Sequence, residues 1–574
     1  MSLTSSLNIA RSALNTSQIG LQVTAQNMAN AATPGYTRQI AMLQALRGRI
    51  NDPFQIGQGV AVNEVRRQID DALQRRLWNG NSEEFSSAQQ LNVLGQLETI
   101  LNEGTEFDMS TQLSGFFNTW TEATTLLDSE SNLINQGESL SAFIRNMQSE
   151  LVEQRGQLEE QIDAQVLRAD AILDEIASIN QIISDSEVGD SEAGGLRDRR
   201  DQIVTELAQL IDIDVHETNS GGYDIYSGST PIIQGSRNRG IEIERISEGD
   251  TVTVRVQLAA DSTPLNVTSG SIGGLLASRD GAIDATLEKL DTLASQLIFE
   301  VNRLHSVGIN EDWLTSSSAT LQVSATDQLL ALNDPNNDSF AGLPFGAVNG
   351  SFTIVVNTED GSKIERQIDI DLDGLTNAGV PGYGDDTTAE DIRAALDGVG
   401  GLVVTFDASG KLLIEAPPGT SFAFSEDSSG ALATMGVNSF FQGTDASDID
   451  VRDDVIVMLG SLDSSANNQF IANGTALAMG SLTDTASEGL GGLSITKFWS
   501  QHAQDIASKT SSARTKANAD TLVRQSLDGQ RAAVSGVSID EESINLLDYQ
   551  RQYQAAAQVV TTAQSMFDTL LSLV

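Results

Sequence analysis

The chain has no cysteine among its 574 residues and only three histidines. Without cysteine there is no disulfide, no thiolate nucleophile and no cysteine-based metal site. His216, His305 and His502 lie far apart in the sequence without the spacing of metal ligands, so we interpret them as ordinary core or surface residues. We also find no nucleophile–base pair, phosphate-binding loop or zinc pattern. The sequence therefore predicts no enzyme activity and no cofactor.

Positive charge, long apolar runs and aromatic residues are also scarce. The 33 Lys and Arg residues face 79 Asp and Glu residues, for a formal net charge of −46, which excludes nucleic acid as an expected partner. No run approaches the roughly 18 to 20 apolar residues that span a bilayer, so we expect no membrane insertion. The N-terminus lacks a basic flank followed by an apolar core, so we expect no cleaved signal peptide. Aromatic residues make up 5% of the chain, which predicts aliphatic cores.

Acidic residues are missing from one end. Residues 1–50 contain four arginines and no Asp, Glu or Lys, a charge of +4, so the remaining residues carry −46 − 4 = −50. The first 50 residues thus differ in kind from the rest of the chain.

The length of the chain predicts three or four domains.

The N-terminal segment has the period of a helix with one apolar seam. From Ser2 to Asn30 its only charge is Arg11, and the rest of its surface is small and polar. Such a face suits close contact between helices better than contact with water. The large residues of the seam recur at every seventh position, and small residues fill most of the positions between: Leu7, Leu14, Leu21 and Met28, with Leu3, Ala10, Ser17 and Thr24.

Thr33-Pro34-Gly35 predicts the end of this helix. Proline lacks an N–H and moves Thr33 out of the α region, and Pro-Gly fits the two central positions of a type II turn. Tyr36 follows as a large anchor.

The C-terminus carries a second heptad pattern. Ser538 to Glu541 fits a capping box that would begin the helix. The two terminal helices could simply pair within one globule, but we expect both ends to be loose in the monomer and to become ordered when copies pack side by side. The apolar positions alternate at spacings of three and four, and Leu571 adjoins them: Leu546, Tyr549, Tyr553, Ala556, Val560, Ala563, Phe567, Leu570 and Val574.

The middle of the chain alternates between helical and strand patterns. Residues 66–212 predict long helices, and helical periodicity returns at 280–305 and 493–534, which together predict a bundle. Period-two patterns predict strands near 252–258, 352–356, 364–372 and 402–414, the last as a hairpin. A short helix is expected to start near Thr387, with Glu390 three residues on.

One strand runs into a short acidic motif. Asp369, Asp371, Asp373 and Gly374 have the spacing that opens an EF-hand loop, but Val380 stands where that loop needs a bidentate glutamate. We therefore favour a strand with outward acids that ends in a glycine turn over a calcium site.

The two ends together resemble a known family. "NMANAATPGYTRQ", residues 27–39, is similar to the N-terminal signature of bacterial flagellar axial proteins, which are rod, hook and hook-associated proteins. "GVSIDEESINLLDYQRQYQAAAQVVTTAQSMFDTLLSLV", residues 536–574, resembles their C-terminal signature. The segment "GQGVAVNEVRRQIDDAL", residues 57–73, and the long helices after it narrow the resemblance to the hook-associated proteins of the hook–filament junction.

The resemblance implies a fold that is mainly α with β-rich inserts and nested, discontinuous domains. Its terminal helices, residues 1–55 and 538–574, would pair as a coiled coil called D0. A helical bundle called D1 would comprise 56–213, 276–305 and 490–537. A β-rich outer domain would comprise 214–275 and 306–345, an outermost α+β insert 346–444, and a return connection 445–489.

The resemblance also implies a function and partners. Copies would be exported unfolded, without a cleaved signal peptide, by the flagellar type III apparatus, and would form a ring between hook and filament outside the cell. The partners would be the hook protein, a second junction protein and an export chaperone that binds the C-terminal helix. The alternatives are a hook or filament subunit of the same family, or an enzyme carried on an axial scaffold. We expect the assembly interface at the terminal seams and turn: Leu7, Leu14, Leu21, Met28, Asn30, Pro34, Gly35 and Tyr36, with Leu546, Tyr549, Tyr553, Val560, Phe567, Leu570 and Leu571.

Overall fold

The computed structural model of the chain describes residues 3–47, 57–104, 107–126, 130–187, 192–248, 251–376 and 378–572. Val574, the last residue of the predicted C-terminal seam, lies outside this set. In the part described, none of the helices has both the length and the apolar character needed to cross a membrane.

Most of the described chain is helical, and the longest helices match the predicted periodic segments. A π-helical turn, Arg279–Asp284, leads into the seventh helix. The α-helices within the described ranges are, in chain order, α1 Leu3–Asn30, α2 Asp71–Leu101, α3 Met109–Ala123, α4 Glu130–Ser186, α5 Gly194–Leu210, α6 Gly270–Ser278, α7 Ala285–Ser306, α8 Asp338–Ala341, α9 Ala389–Asp397, α10 Ala431–Met435, α11 Gly474–Ser481, α12 Ile495–Ser535 and α13 Ile539–Ser572.

The strands form several small antiparallel sheets, as the predicted β-rich inserts require. Those in the first half are β1 Gln39–Ala45, β2 Val60–Arg67, β3 Asp214–Glu217, β4 Tyr223–Ser227, β5 Thr230–Gln234, β6 Arg237–Asn238, β7 Ile241–Glu248 and β8 Thr251–Leu258. Those in the second half are β9 Ser316–Gln322, β10 Gly350–Asn357, β11 Lys363–Ile370, β12 Val403–Phe406, β13 Lys411–Glu415, β14 Ser421–Asp427, β15 Phe441–Gln442, β16 Asp450–Val451, β17 Ser461–Asp463 and β18 Gln469–Ile471. The fold class, mainly α with β inserts, is confirmed.

The first compact unit comprises residues 1–93, 157–279 and 510–574, so it contains both ends of the chain. Its strands form the hairpin β1–β2, a four-stranded sheet in the order β3-β4-β5-β6, and the hairpin β7–β8. An apolar stripe on α4 belongs to its core, because residues at spacings of four and three share one face of a helix. Its members are no more than 3% exposed: Ile162, Val166, Ala169, Leu173, Ile176 and Ile183.

The second unit comprises residues 94–156 and 280–509. It contains two three-stranded sheets in the orders β11-β10-β14 and β12-β13-β9, and β12–β13 is the predicted hairpin. The short helix α9 begins one residue later than expected, because Thr388 rather than Thr387 forms the capping box, with Asp391 as its partner.

The core of the second unit corrects the expectation of aliphatic cores. Five aromatic side chains, each at most 1% exposed, pack together there: Phe116, Phe117, Trp120, Phe440 and Phe441. A low overall aromatic content sets how many such residues exist, but it does not prevent them from gathering in one place.

The strand pairing differs from the predicted domain boundaries at one point. We expected 306–345 to join 214–275 in one β-rich domain. Instead β9 pairs with β13, so it belongs with the insert, whereas 214–275 lies in the first unit. The reason is that a strand joins the sheet that offers it an edge, whatever its distance along the chain. The remaining boundaries stay predictions.

Candidate functional site: the terminal helix pair and its turn

The two ends of the chain meet in the first unit. Helices α1 and α13 lie side by side, with Gly20 against Tyr549 and Asn27 against Glu542. Because the partner numbers fall as the α1 numbers rise, the helices run antiparallel. In this structure α1 and α13 are therefore paired helices, whereas loose ends in the isolated monomer stay a prediction.

The buried face of α1 is made of small and polar residues, not of its leucines. The closest approach is at Gly20, where an added Cβ atom would lie 2.5 Å from Cε1 of Tyr549. Only glycine leaves room there for the tyrosine ring. The residues of α1 that are buried are Ala10, Thr16, Ser17, Gly20, Thr24 and Asn27.

The large residues of the predicted seams lie at the margins of this contact. On α1, the half-buried ones are Leu7, Leu14, Leu21 and Met28. On α13, Ala556 and Ala563 are buried, while Leu546, Tyr549, Val560 and Phe567 are half-buried. Tyr553 is 42% exposed and Leu571 is 72% exposed, and the side chain of Leu570 lies outside the described set. The structure thus brings the two seams together but leaves much of their apolar surface uncovered.

A second apolar face of α13 points away from the contact. Ile544, Leu547, Val559 and Met566 are each between 49% and 61% exposed. At 100° per residue they fall within one third of the helix circumference, and the centre of this sector lies about 120° from Ala556. Exposed apolar patches of this kind mark interaction surfaces.

The predicted turn after α1 is confirmed in its geometry. The Tyr36 N–H donates to the Thr33 carbonyl at 3.2 Å, and Gly35 has a φ of +78° at the third position, as a type II turn requires. The Pro34 carbonyl accepts a hydrogen bond of 2.6 Å from Nε2 of Gln202 on α5. Asn30 has a local role, because its Nδ2 donates to the Gln26 carbonyl within α1. The turn is therefore held by its own backbone hydrogen bond and by the hydrogen bond from α5.

A buried polar cluster joins this turn to the start of α13. Asn27 is 1% exposed and Glu542 is 2% exposed, and Nδ2 of Asn27 donates to Oε2 of Glu542 at 3.2 Å and to the Gln39 carbonyl at 2.8 Å. The Asn27 Oδ1 atom accepts from the Tyr36 hydroxyl at 2.9 Å and from the Gln39 N–H at 3.0 Å. Burial, with the nearby carboxylates of Asp198 and Glu542, raises the pKa of Tyr36 to about 12, which keeps its hydroxyl a donor.

Arg38 completes this cluster, which the sequence analysis did not identify. Its Nε atom lies 2.8 Å from Oε1 of Glu542, and its Nη1 atom lies 3.0 Å from Oε2 of Glu541. Its backbone N–H donates to the Ser535 carbonyl at 2.9 Å, just before α13. The acid-free N-terminal segment thus takes its counter-charges from the other end of the chain. The available signal was the arginine directly after the turn, combined with the acidic first turn of α13.

A second buried charge network supports the turn from α5. Arg67, at the end of β2, contacts Asp198 at 3.0 Å, Asp201 at 2.6 Å and Glu192 at 3.1 Å. The Thr37 N–H donates to Oδ2 of Asp198 at 3.2 Å. Burial raises the pKa of Asp198, although the contact with Arg67 acts in the opposite direction.

The helix α13 begins as predicted. The Glu541 N–H reaches the Ser538 hydroxyl at 3.5 Å, which is one half of the expected capping box. The Glu541 side chain is instead directed to Arg38. Three acids in the first turn of α13 also lie where the helix dipole favours negative charge.

Family models match three parts of the chain. Residues 94–314 match the model described as "Flagellar hook-associated protein FlgK helical domain". Residues 530–573 match "Flagellar basal body rod FlgEFG protein C-terminal", and residues 7–37 match "Flagella basal body rod protein". The last two include most of α13 and α1, so the matches fall on the helix pair as well as on the middle of the chain.

Several curated relatives match over their full length. The flagellar hook-associated protein 1 of Escherichia coli strain K12 is 25% identical, with 100% of both chains covered. That of Salmonella typhimurium strain LT2 is 27% identical at the same coverage, and that of Bacillus subtilis strain 168 is 24% identical, covering 99% of this chain and 97% of the relative. A solved structure of the flagellar hook junction protein FlgK from Burkholderia pseudomallei, 14% identical, covers 80% of this chain and 100% of that chain with a TM-score of 0.48. The model matches and the full-length relatives together make this chain similar to flagellar hook-associated protein 1 over its whole length.

Proposed function

We propose that this chain is a structural, non-catalytic subunit of the bacterial flagellum that forms a ring between hook and filament. The observation that carries the proposal is the helix pair α1–α13, which uses small residues for its own contact and leaves large apolar residues exposed. Full-length relatives named as hook-associated proteins support the same role.

The exposed face of α13 is the surface that we assign to contacts between copies. Its side chains are apolar and at least 49% exposed in the single chain, so burying them against a neighbour would remove apolar area from water. The predicted interface residues Tyr553 and Leu571 are also exposed, but on another side of the helix. The hook protein would lie on one side of the ring and the second junction protein on the other.

Before assembly, the same face would be shielded by an export chaperone. An amphipathic helix with one exposed apolar face is the kind of segment that a partner groove accepts. The chain would then leave the cell unfolded through the type III apparatus. Truncation after Leu546 removes most of α13, so chaperone co-purification should be lost. Unchanged co-purification would exclude this site for the chaperone.

The first experiment is a deletion strain, imaged by electron microscopy and assayed for flagellin in the medium. Hooks without filaments, with flagellin released, are the expected result. Missing hooks would indicate a rod or hook subunit instead, and normal filaments would refute a role at the junction. Copy number separates a junction ring, with about one helical turn of subunits, from a hook or filament subunit.

A matched pair of variants tests the surface itself. Val559→Ser with Met566→Ser, one heptad apart on the exposed face of α13, should fail to restore filaments to the deletion strain. Val152→Ser with Leu167→Ser, on α4 and 48% and 73% exposed, is the control and should restore them. Both proteins should unfold at the same temperature. Restoration by both variants would exclude this face as the interface.

A further inference from the structure

Three carboxylates come together in the second unit, where β11 ends. Asp371 and Asp373 follow the strand and are exposed, whereas Asp386 lies fifteen positions beyond Asp371 and is 2% exposed. One carboxylate oxygen from each of the three lies within 4.8 Å of the others. The group is separate from the terminal helix pair and independent of the function proposed above.

Backbone hydrogen bonds fix the two segments against each other. The Asp371 N–H donates to Oγ1 of Thr387 at 2.8 Å, and the Thr387 N–H donates to the Asp371 carbonyl at 2.7 Å. The Gly374 N–H donates to Oδ2 of Asp386 at 3.0 Å, so the buried carboxylate is directed at the acidic loop. The fold therefore holds the backbone segments that carry the three acids close together.

The buried carboxylate has one oxygen without a donor. Oδ2 of Asp386 accepts from Gly374 and from Nδ2 of Asn333, the latter at 2.6 Å, but its Oδ1 atom is buried with no hydrogen-bond partner among the described residues. The Oδ1 atom of Asn333 is also buried without one. Leaving a buried charged oxygen unsatisfied is costly, so the fold retains it only where something else satisfies it.

The group also lacks a salt-bridge partner among the described residues. Within the described part of the chain, none of the salt bridges of Lys or Arg involves Asp371, Asp373 or Asp386. Three carboxylates at this distance repel one another unless a cation lies between them. The unsatisfied oxygen and the missing counter-charge thus require the same kind of ligand.

We propose that Asp371, Asp373 and Asp386 bind Ca²⁺. Ca²⁺ takes six to eight oxygen ligands at about 2.3–2.6 Å, so two ligands on opposite sides of one ion are about 4.8 Å apart. Mg²⁺ demands near-ideal octahedral geometry and usually keeps several waters, and Zn²⁺ prefers nitrogen and sulfur ligands, which the group lacks. Asn333 is a candidate for a further oxygen ligand, and water fills the exposed positions.

The site differs from the EF-hand loop that the motif suggested. In that loop Asp369 would be the first ligand and Val380 would occupy the twelfth position, but Val380 is 57% exposed and has no ligand atom in its side chain. Asp369 instead accepts a hydrogen bond of 2.7 Å from Nε2 of Gln367 and lies outside the group. The third carboxylate comes from Asp386 because the intervening loop folds back onto the end of β11. The bound ion would join the end of β11 to the segment that leads into α9.

The test is calorimetric titration of the full chain with CaCl₂ after treatment with a chelator. One site with a Kd of about 10⁻⁴–10⁻³ M is expected, the range of extracellular calcium modules. Asp386→Asn and Asp371→Asn should each weaken binding by about tenfold or more, since even the outer partners of metal ligands contribute that much. Asp369→Asn removes the same charge two positions away and should change the Kd by less than about twofold.

The control variant distinguishes specific binding of Ca²⁺ at this site from general attraction of the cation to a chain of net charge −46. If Asp369→Asn weakens binding as much as Asp371→Asn does, or if no site is found below 10 mM, roughly ten times the upper limit above, the proposal is wrong. Tighter binding of Mg²⁺ than of Ca²⁺ would also overturn it. Asp371 is exposed, so its variant keeps the test valid if Asp386→Asn does not fold.

A spectroscopic probe locates the ion. The Cε1 atom of Tyr383 lies 3.9 Å from the position that a Cβ on Gly374 would take, so its ring is beside the loop. Tb³⁺ binds in place of Ca²⁺, and a nearby tyrosine sensitises its luminescence. Tyr383→Phe should remove most of the signal that CaCl₂ displaces, and an unchanged signal would place the ion elsewhere.

Discussion

Replacing Glu542 with glutamine should loosen the docking of α13 on α1 without unfolding either unit. The glutamine has nearly the same shape, but it loses the charge that faces Arg38 and one of the two carboxylate oxygens. Charge-assisted hydrogen bonds contribute about 1.5–3 kcal/mol each, and breaking a fully buried ion pair costs about 3–5 kcal/mol. Arg38 is 16% exposed and keeps its contact with Glu541, so we expect about 2 kcal/mol.

Native-state hydrogen exchange measures this loss directly. A local destabilisation of about 2 kcal/mol should accelerate exchange of the α13 amides by about 30-fold. The amides of β10 and β14, in the second unit, should exchange at their original rates. Limited proteolysis near the C-terminus should accelerate in parallel, and it also tests whether the ends of the isolated chain are ordered.

Glu541→Gln is the matched control. Glu541 contacts the same arginine, but its side chain is 62% exposed, and exposed ion pairs contribute at most about 1 kcal/mol. We expect an effect below about 0.5 kcal/mol. The double variant Arg38→Gln with Glu542→Gln should cost less than the sum of the two single changes, because the two charges are coupled. Equal effects of the two glutamate variants would refute the assignment of Glu542 as the main partner.

Three other perturbations have effects that follow from local geometry. Gly35→Ala should lower the free energy of unfolding by about 1–2 kcal/mol in a urea titration, since its φ of +78° is unfavourable for other residues; an unchanged midpoint would contradict this. Arg67→Met should cost about 3–5 kcal/mol by the same measurement, because it leaves Asp198 and Asp201 buried without a cation, and a cost below 1 kcal/mol would mean that the network is dispensable. Burial lowers the pKa of His305 to about 4, compared with 6.5 in the unfolded chain. The contribution of neutral His305 to the free energy of unfolding should therefore be complete above pH 6.5. It should be lost as the pH falls towards 4, by an amount on the order of 3 kcal/mol. A His305→Gln variant should lose less stability over that pH range. An unchanged dependence of stability on pH would refute the role of His305.

The parts of the site that depend on neighbouring residues could be predicted from the sequence. Pro34 and Gly35 set their own backbone angles, so the turn was predictable, and Ser538 marked the start of α13 for the same reason. Heptad periodicity likewise predicted α1 and α13 and their shared apolar side. Local chemistry decides these features, so no knowledge of the tertiary structure was needed.

The parts that depend on contacts between distant residues could not be predicted. The pair Asn27–Glu542 is separated by 515 positions, and no local pattern links the two. Periodicity identified the residues of the seam but not how deeply each is buried, because the distance between the helices is set by the contact of Gly20 with Tyr549. The acidic motif has the same limitation, since Asp386 joins it only through the folding of a loop.

The same contacts determine the register of the helix pair. Sliding α13 by one turn would move Tyr549 away from Gly20 and against a residue with a Cβ atom, where the ring has no room. It would also move Glu542 away from Arg38 and Asn27, leaving a buried carboxylate unpaired. Because residues 1–50 contain no acid, Arg38 has no competing partner within its own segment. The missing acids of the N-terminal segment therefore favour a single alignment of the two ends, and in that alignment Ile544, Leu547, Val559 and Met566 of α13 stay exposed.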